Sequence, residues 1–525
     1  MAFAGCSVDY PEGRIACTSS AECPTGWVCV EHACYSTTSD VGVDATIAED
    51  AEMDARAAID AYSSIDAAIV DTNLSPIDAG ADAASPDSSR DAGLGDVGAC
   101  ASGTVEWHDM NDPSRWTFLD LTTLNAGAVG FTGGVFDGRY VYLVPHDRNG
   151  NGMLDGLVAR LDTTMSVGFG GAAWSFFDVS TVNGGARGFS GGAFDGRFVY
   201  LVPNSNGTQD GLVARLDTTA PSGFASAGAW SFFDTATLNA NAIGFQGAAF
   251  DGQYLYLVPY TWPRAVVARL DTTASSSFAS AGAWSFFDVS TLNSAARGFI
   301  GTAFDGHYVY LMPNDPTISP RNGTIARIDT TSPAGFATGA SWTVFDVSTL
   351  NGGARGFVGA SFDGHYLYPT PEYNTAFDGL VPRFDTTAAS GFTSGSSWSF
   401  FDLTSVNTDA RGFAGGAFDG RYVYFNQGAN GAADRGIVAR LDTAATGGFS
   451  AGASWSTFDV GTLDPGAAIG LGGGVFDGRY VYFVPGYWDT AGVVSPGRVA
   501  RFDARCPSTI PQLPGWFSWG PGSFL

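Results

Sequence analysis

The chain has 525 residues, of which 71 are glycine, 14% are aromatic and only 15% are charged. All 25 basic residues are arginine, so Schiff-base chemistry on lysine, including a pyridoxal phosphate site, is excluded. The formal net charge of −27 argues against nucleic acid or an anionic membrane surface as a partner, and no run of 18 apolar residues is present to span a bilayer.

Residues 1–35 hold five of the seven cysteines. Cys17, Cys23, Cys29 and Cys34 lie close to Pro24 and Gly26 with few apolar neighbours, which predicts a small knot of two disulfides in place of a packed core. Zinc is the competing reading, but the five-residue gaps lack the C-x2-C spacing of a zinc knuckle. The cluster resembles small cysteine-rich modules at the front of exported bacterial lipoproteins. Phe3-Ala4-Gly5-Cys6 looks like the end of a lipobox, with Phe3 where that pattern prefers Leu. That resemblance implies lipidation at Cys6, membrane contact only through the lipid anchor, and an extracellular or outer-cell-surface location. Only five residues precede Cys6, so a signal peptide would have to be encoded upstream.

From 36 to 99 the chain is mostly Ala, Asp and Ser, with fourteen acidic residues opposed only by Arg56 and Arg90. Such a segment repels itself and cannot bury enough apolar surface to fold, so a disordered linker is expected. An alanine-rich helix is the alternative, weakened by recurring Gly, Pro and Asp.

Beyond residue 100 the sequence repeats. Trp116, Trp174, Trp230, Trp284, Trp342, Trp398 and Trp455 each open a segment like WSFFDVSTLN, and each is followed by GFxGGAFDG, RYVYLVP, a variable loop and GLVARLDTT. Four short runs of alternating aromatic and β-branched residues per unit predict a four-stranded sheet. Asp-Gly in FDGRY is a two-residue hairpin signal. Sheets with two apolar faces must stack, and seven of them close a ring, so 100–506 resembles an all-β, seven-bladed β-propeller. The unit of about 56 residues exceeds those of WD40 and kelch repeats. The glycine-rich run would be the innermost strand, where blades converge. One blade would be completed by the Trp116 strand joining three C-terminal strands, with a Cys100–Cys506 disulfide locking the seam and a Pro/Trp-rich tail following over 507–525.

Two loops of each unit should open on the same face. The loop entering the inner strand carries Asn125, Asn183, Asn239, Asn293, Asn351 and Asn407, with Asp464 in the last copy. Arg187, Arg297, Arg355 and Arg411 follow in four copies and could line a mouth for an anionic ligand such as an acidic sugar; alternatively each pairs with a nearby aspartate. Arg160, Arg215, Arg269, Arg327, Arg383, Arg440 and Arg501 recur in all seven units, which indicates a scaffold role.

The sharpest local motif is Asp147-Arg-Asn149-Gly-Asn151-Gly-Met153-Leu-Asp155. Oxygens at alternate positions and a glycine for the tight turn suit calcium, with Met153 offering its carbonyl. The motif resembles the calcium hairpins of integrin α-subunit propellers; ordinary Asn-Gly turns are the alternative. Enzyme signatures are sparse. His307 and His365 stand where other copies have Arg or Gln, and Glu372 is the only glutamate after Glu106. The expected function is noncatalytic recognition of a glycan or protein ligand on the propeller face. The alternative is a polysaccharide-degrading hydrolase or lyase, which a carboxylate pair unique to one copy would favour.

Overall fold

The computed structural model describes the backbone of residues 27–30 and 33–36 and then residues 105–147, 154–165, 168–274, 278–431, 436–465, 470–486 and 497–506. The chain divides into Met1–Ala99 and Cys100–Leu525. In the first unit β1 (Trp27–Val30) pairs antiparallel with β2 (Ala33–Ser36), setting Cys29 opposite Cys34 in register. The expectations for Cys6, Cys17, Cys23, the linker beyond Ser36, Cys100 and the tail from 507 fall outside the described residues.

The second unit is a seven-bladed propeller of four-stranded antiparallel sheets. Its first described strands are β3 (Glu106–Trp107) and β4 (Trp116–Asp120). Blade 1 follows as β5 (Phe131–Phe136), β6 (Tyr140–Pro145), β7 (Leu157–Asp162) and β8 (Trp174–Asp178), paired in that order from the inside outward. The inner strands of blades 2 to 7 begin at Phe189, Phe245, Phe299, Phe357, Phe413 and Leu471. Blade 7 is built from both ends: Leu471–Phe476, Tyr480–Pro485 and Arg498–Asp503 are completed by β4, with Val499 opposite Leu119. Just outside it, β3 pairs with Arg505–Cys506.

Glycine is required where the inner strands converge, because a Cβ on Gly134 would stand 2.8 Å from Val475 Cγ2 of blade 7, and one on Gly192 the same distance from Val135 Cγ2 of blade 1. The inner hairpin corrects the expected turn register. Asp137 is a flanking residue, and Gly138 and Arg139 form the two-residue centre, with Gly138 at φ 98°. Asp137 N donates to Tyr140 O, while Tyr140 N donates to the Asp137 carboxylate at 2.6 Å; the other carboxylate oxygen accepts from the buried Tyr142 hydroxyl at 2.7 Å. The same Tyr–Asp bond recurs in the other six blades, from Asp195–Tyr200 to Asp477–Tyr482.

The core lies between blades. All but one of the third-strand arginines are held between two aromatic rings: Arg269 sits 4.0 Å from the Tyr254 ring of its own blade and 4.5 Å from the Phe336 ring of the next. Arg160, Arg215, Arg327, Arg383 and Arg501 do the same, so six of the seven junctions carry this clamp. At the seventh, Arg440 stacks on Tyr422 and donates to His108 O, because Met110 takes the place of the phenylalanine. The scaffold role expected for these arginines is therefore seen in its physical form. Arg501 reaches Phe169 of blade 1 at 4.6 Å, and Trp116 stacks on Phe458 of blade 6 at 5.4 Å, so the closing blade is joined on both sides like the rest.

Candidate functional site

The two variable loops of every blade meet through one backbone contact. The glycine before each inner strand offers its carbonyl to the amide that follows the second strand: Gly130 to His146, Gly188 to Asn204, Gly244 to Tyr260, Gly298 to Asn314, Gly356 to Glu372, Gly412 to Gly428 and Gly470 to Gly486. Glycine is needed there, since at Gly356 the φ is +63° and a Cβ would collide with the Tyr373 carbonyl. The seven amides therefore mark a ring of equivalent seats on the loop face. Scaffold positions repeat, but these seats read His, Asn, Tyr, Asn, Glu, Gly, Gly.

In blades 1 and 2 the seat closes on its neighbour: His146 Nδ1 lies 2.9 Å from Phe189 O, and Asn204 Nδ2 donates to Phe245 O at 3.1 Å. The pattern breaks at blades 3 to 5. Asn314, fully buried, donates from Nδ2 to Glu372 Oε2 at 2.5 Å, and its side-chain and main-chain oxygens accept from Arg321 Nη1. Arg321 lies 5.2 Å from the Tyr373 ring, and its amide donates to Asn374 O at 3.0 Å, which ties the loops of blades 4 and 5 together. Asp315, also fully buried, accepts from Arg297 Nε at 2.8 Å and from Thr317. Burial pushes the Glu372 carboxyl above its ordinary range, opposed by the Arg321 charge and the Asn314 bond. Tyr260 is raised to about 12, chiefly by burial, with Arg321 opposing and Glu372 and Asp315 adding to the rise. Its ring meets Trp262 edge-on at 5.9 Å, and Trp262 is 44% exposed.

The four arginines proposed from sequence do not share one environment. Arg297 belongs to the cluster through Asp315, and Arg355 borders it, donating to Gly352 O at 2.9 Å and to Arg321 O at 3.2 Å. Arg187 is exposed, and Arg411 has a buried Nε without a hydrogen-bond partner. Among the described residues Arg297 pairs with a nearby aspartate, Asp315, and none of the four pairs with an aspartate of the outer strands. The asparagines of the entering loops form turns: Asn125, Asn183, Asn239, Asn293, Asn351 and Asn407 each accept the amide two residues on. His307 and His365 occupy the turn seat of Arg139 and keep its bond, to Asp329 at 2.9 Å and Asp385 at 3.1 Å.

For the calcium motif, Asp147 and Leu154 form an antiparallel bridge that draws the loop ends together, and Asp155 Oδ1 accepts from the Gly156 and Leu157 amides. Asn149, Asn151 and Met153 lie outside the described residues, and among the described residues no group of three or more metal-ligating side chains is assembled. Cys506 is buried beside His108, its Sγ 3.7 Å from Nε2.

Sequence reasoning singled out Glu372 and Arg297 and missed Tyr260, Trp262, Asn314, Asp315 and Arg321. Aligning the residue that follows each second strand across the seven units would have found Tyr260 and Asn314.

No family model and no curated protein matches the sequence. Solved structures similar in fold include apo AztD from Citrobacter koseri, at 10% identity over 70% of this chain and 99% of that one, with a TM-score of 0.35. A hypothetical selenium-binding protein from Sulfolobus tokodaii matches at 9% identity over 66% and 82%, with a TM-score of 0.38. A functionally unknown protein from Desulfotomaculum acetoxidans matches at 10% identity over 61% and 83%, with a TM-score of 0.36. At these values the likeness says nothing about activity.

Proposed function

We propose that the protein is a noncatalytic recognition module, displayed outside the cell, that binds a glycan or protein ligand on the loop face of the propeller. The observation that carries this reading is the contrast between two sets of equivalent positions. Clamps, hairpins and turns recur around the ring, whereas the seats on one face differ from blade to blade and gather Tyr260, Asn314, Arg321 and Glu372 in one sector. A binding surface needs such local variety on a rigid frame. The hydrolase or lyase alternative draws on Glu372, whose raised carboxyl suits a general acid. Its natural partner Asp315 is already engaged by Arg297 and Thr317, which weighs against a working carboxylate pair.

Incubation with a panel of polysaccharides, followed by both retention and product analysis, tests the reading. Retention without cleavage is expected. Turnover that Glu372→Gln abolishes would replace it with the enzymatic alternative.

A further inference from the structure

We infer that the sector of blades 3 to 5 is a subsite for a neutral saccharide, stacked on Trp262 and hydrogen-bonded by Glu372 and Tyr260. This rests on the recognition reading above and narrows it to a ligand class and a place. Charge is the first argument. The two arginines of the cluster face two carboxylates: Arg297 is bonded to Asp315, and Arg321 is coupled to Glu372 through Asn314. Short of displacing one of these bonds, an anionic sugar would meet only Arg355, at the border and already held by the Gly352 and Arg321 carbonyls, and it would approach a chain of net charge −27. A neutral ligand faces neither obstacle.

Shape and chemistry point the same way. Among the described residues, the exposed large apolar side chains are aliphatic, mostly at one recurring position (Leu124, Leu238, Leu292, Leu350 and Val406), with Trp262 the single aromatic. Its edge-on contact with Tyr260 fixes the indole while leaving ring surface open, as stacking on the C–H face of a sugar requires. Among the described residues, Glu372 spends Oε2 on Asn314 and no protein donor is found on Oε1, and the Tyr260 hydroxyl likewise has no bond. Sugar hydroxyls donate and accept at once, so they can satisfy a carboxylate oxygen and a phenol together.

The test uses the full chain on immobilised neutral oligosaccharides (glucose-, galactose-, mannose- and xylose-based) beside polyuronates, at low and high salt. Retention of a neutral sugar, unchanged by salt, is expected. Trp262→Ala and Glu372→Gln should each weaken it about tenfold or more, the equivalent of one lost stacking contact or one charge-assisted hydrogen bond. The Trp262→Ala melting midpoint should match the parent's, since Trp262 is on an exposed loop. Retention confined to polyuronates and lost in salt would overturn the neutral-ligand assignment and leave the recognition reading standing. Neutral-sugar retention that ignores both substitutions would overturn the location. No retention of any glycan would sink this inference and the glycan half of the proposed function together.

Discussion

The inter-blade arginine clamp can be tested with one substitution and one cycle. Arg269→Met keeps most of the aliphatic stem and removes the charge that lies 4.0 Å from Tyr254 and 4.5 Å from Phe336, together with the 3.1 Å bond from Nε to Ser285 Oγ. Two partly desolvated cation–π contacts contribute about 1 to 2 kcal/mol each and a hydrogen bond about 1 kcal/mol, so a loss of about 3 to 5 kcal/mol is expected. Arg197→Met is the control. That arginine is mostly exposed, pairs with Asp217 at 2.7 Å, and its loss should shift the unfolding midpoint far less than the loss of Arg269. Urea unfolding of both variants, read by tryptophan fluorescence, gives the comparison. Adding Phe336→Leu completes a double-mutant cycle, in which a coupling of about 1 kcal/mol is expected between Arg269 and a ring of the neighbouring blade. Equal losses at Arg197 and Arg269, or additive effects of Arg269 and Phe336, would refute the view that these arginines bind blade to blade.

Calcium at millimolar concentration should raise the melting midpoint modestly if the 147–155 loop binds it, and Asp147→Ala with Asp155→Ala should remove the rise; calorimetric titration showing no uptake leaves only Asn-Gly turns. Peptide mapping without reductant should recover Cys100 linked to Cys506, and reducing that bond should cost at most about 5 kcal/mol; separate peptides would dismiss the seam lock. Asp210 is raised to about 6 by burial and by Asp234, so the folded state holds a proton that the unfolded state releases near pH 4. Stability should therefore fall as pH rises from about 4 to 6 and then level off, and Asp210→Asn should flatten that slope in urea titrations. Asp217, lowered to about 2 chiefly by its bond from Arg197, works with the opposite sign: its contribution is present above about pH 4 and is lost as pH falls toward 2.

How far the sequence was legible depends on whether a feature repeats. The tryptophan spacing carried blade number, strand order and the Trp116 seam, because each blade must reproduce the same packing to close a ring. The Asp137 hairpin was read one residue out of register, since nothing in Asp-Gly alone says that the carboxylate will replace its own carbonyl as acceptor. The third-strand arginines read as scaffold from sequence, but the second ring of each clamp comes from the neighbouring blade and follows no local spacing. The candidate site was least visible. Tyr260, Asn314 and Glu372 lie more than fifty residues apart and meet only because successive blades bring equivalent seats side by side. Trp262 belongs to a loop whose sequence matches no other copy.

Completing blade 7 from both chain ends also decides where the molecule yields to force. A load arriving through residue 105 falls first on the two-residue pairing of Glu106 and Trp107 with Arg505 and Cys506. Beyond it stands β4, an outer strand bonded on one edge only, to Arg498–Asp503, and braced by Trp116 against Phe458, Phe483 and Phe502. Peeling that strand breaks its bonds one after another, whereas separating any two inner strands would require whole blades to part. The propeller should thus surrender a single strand at modest tension while the loop face of blades 3 to 5, on the far arc of the ring, keeps its shape.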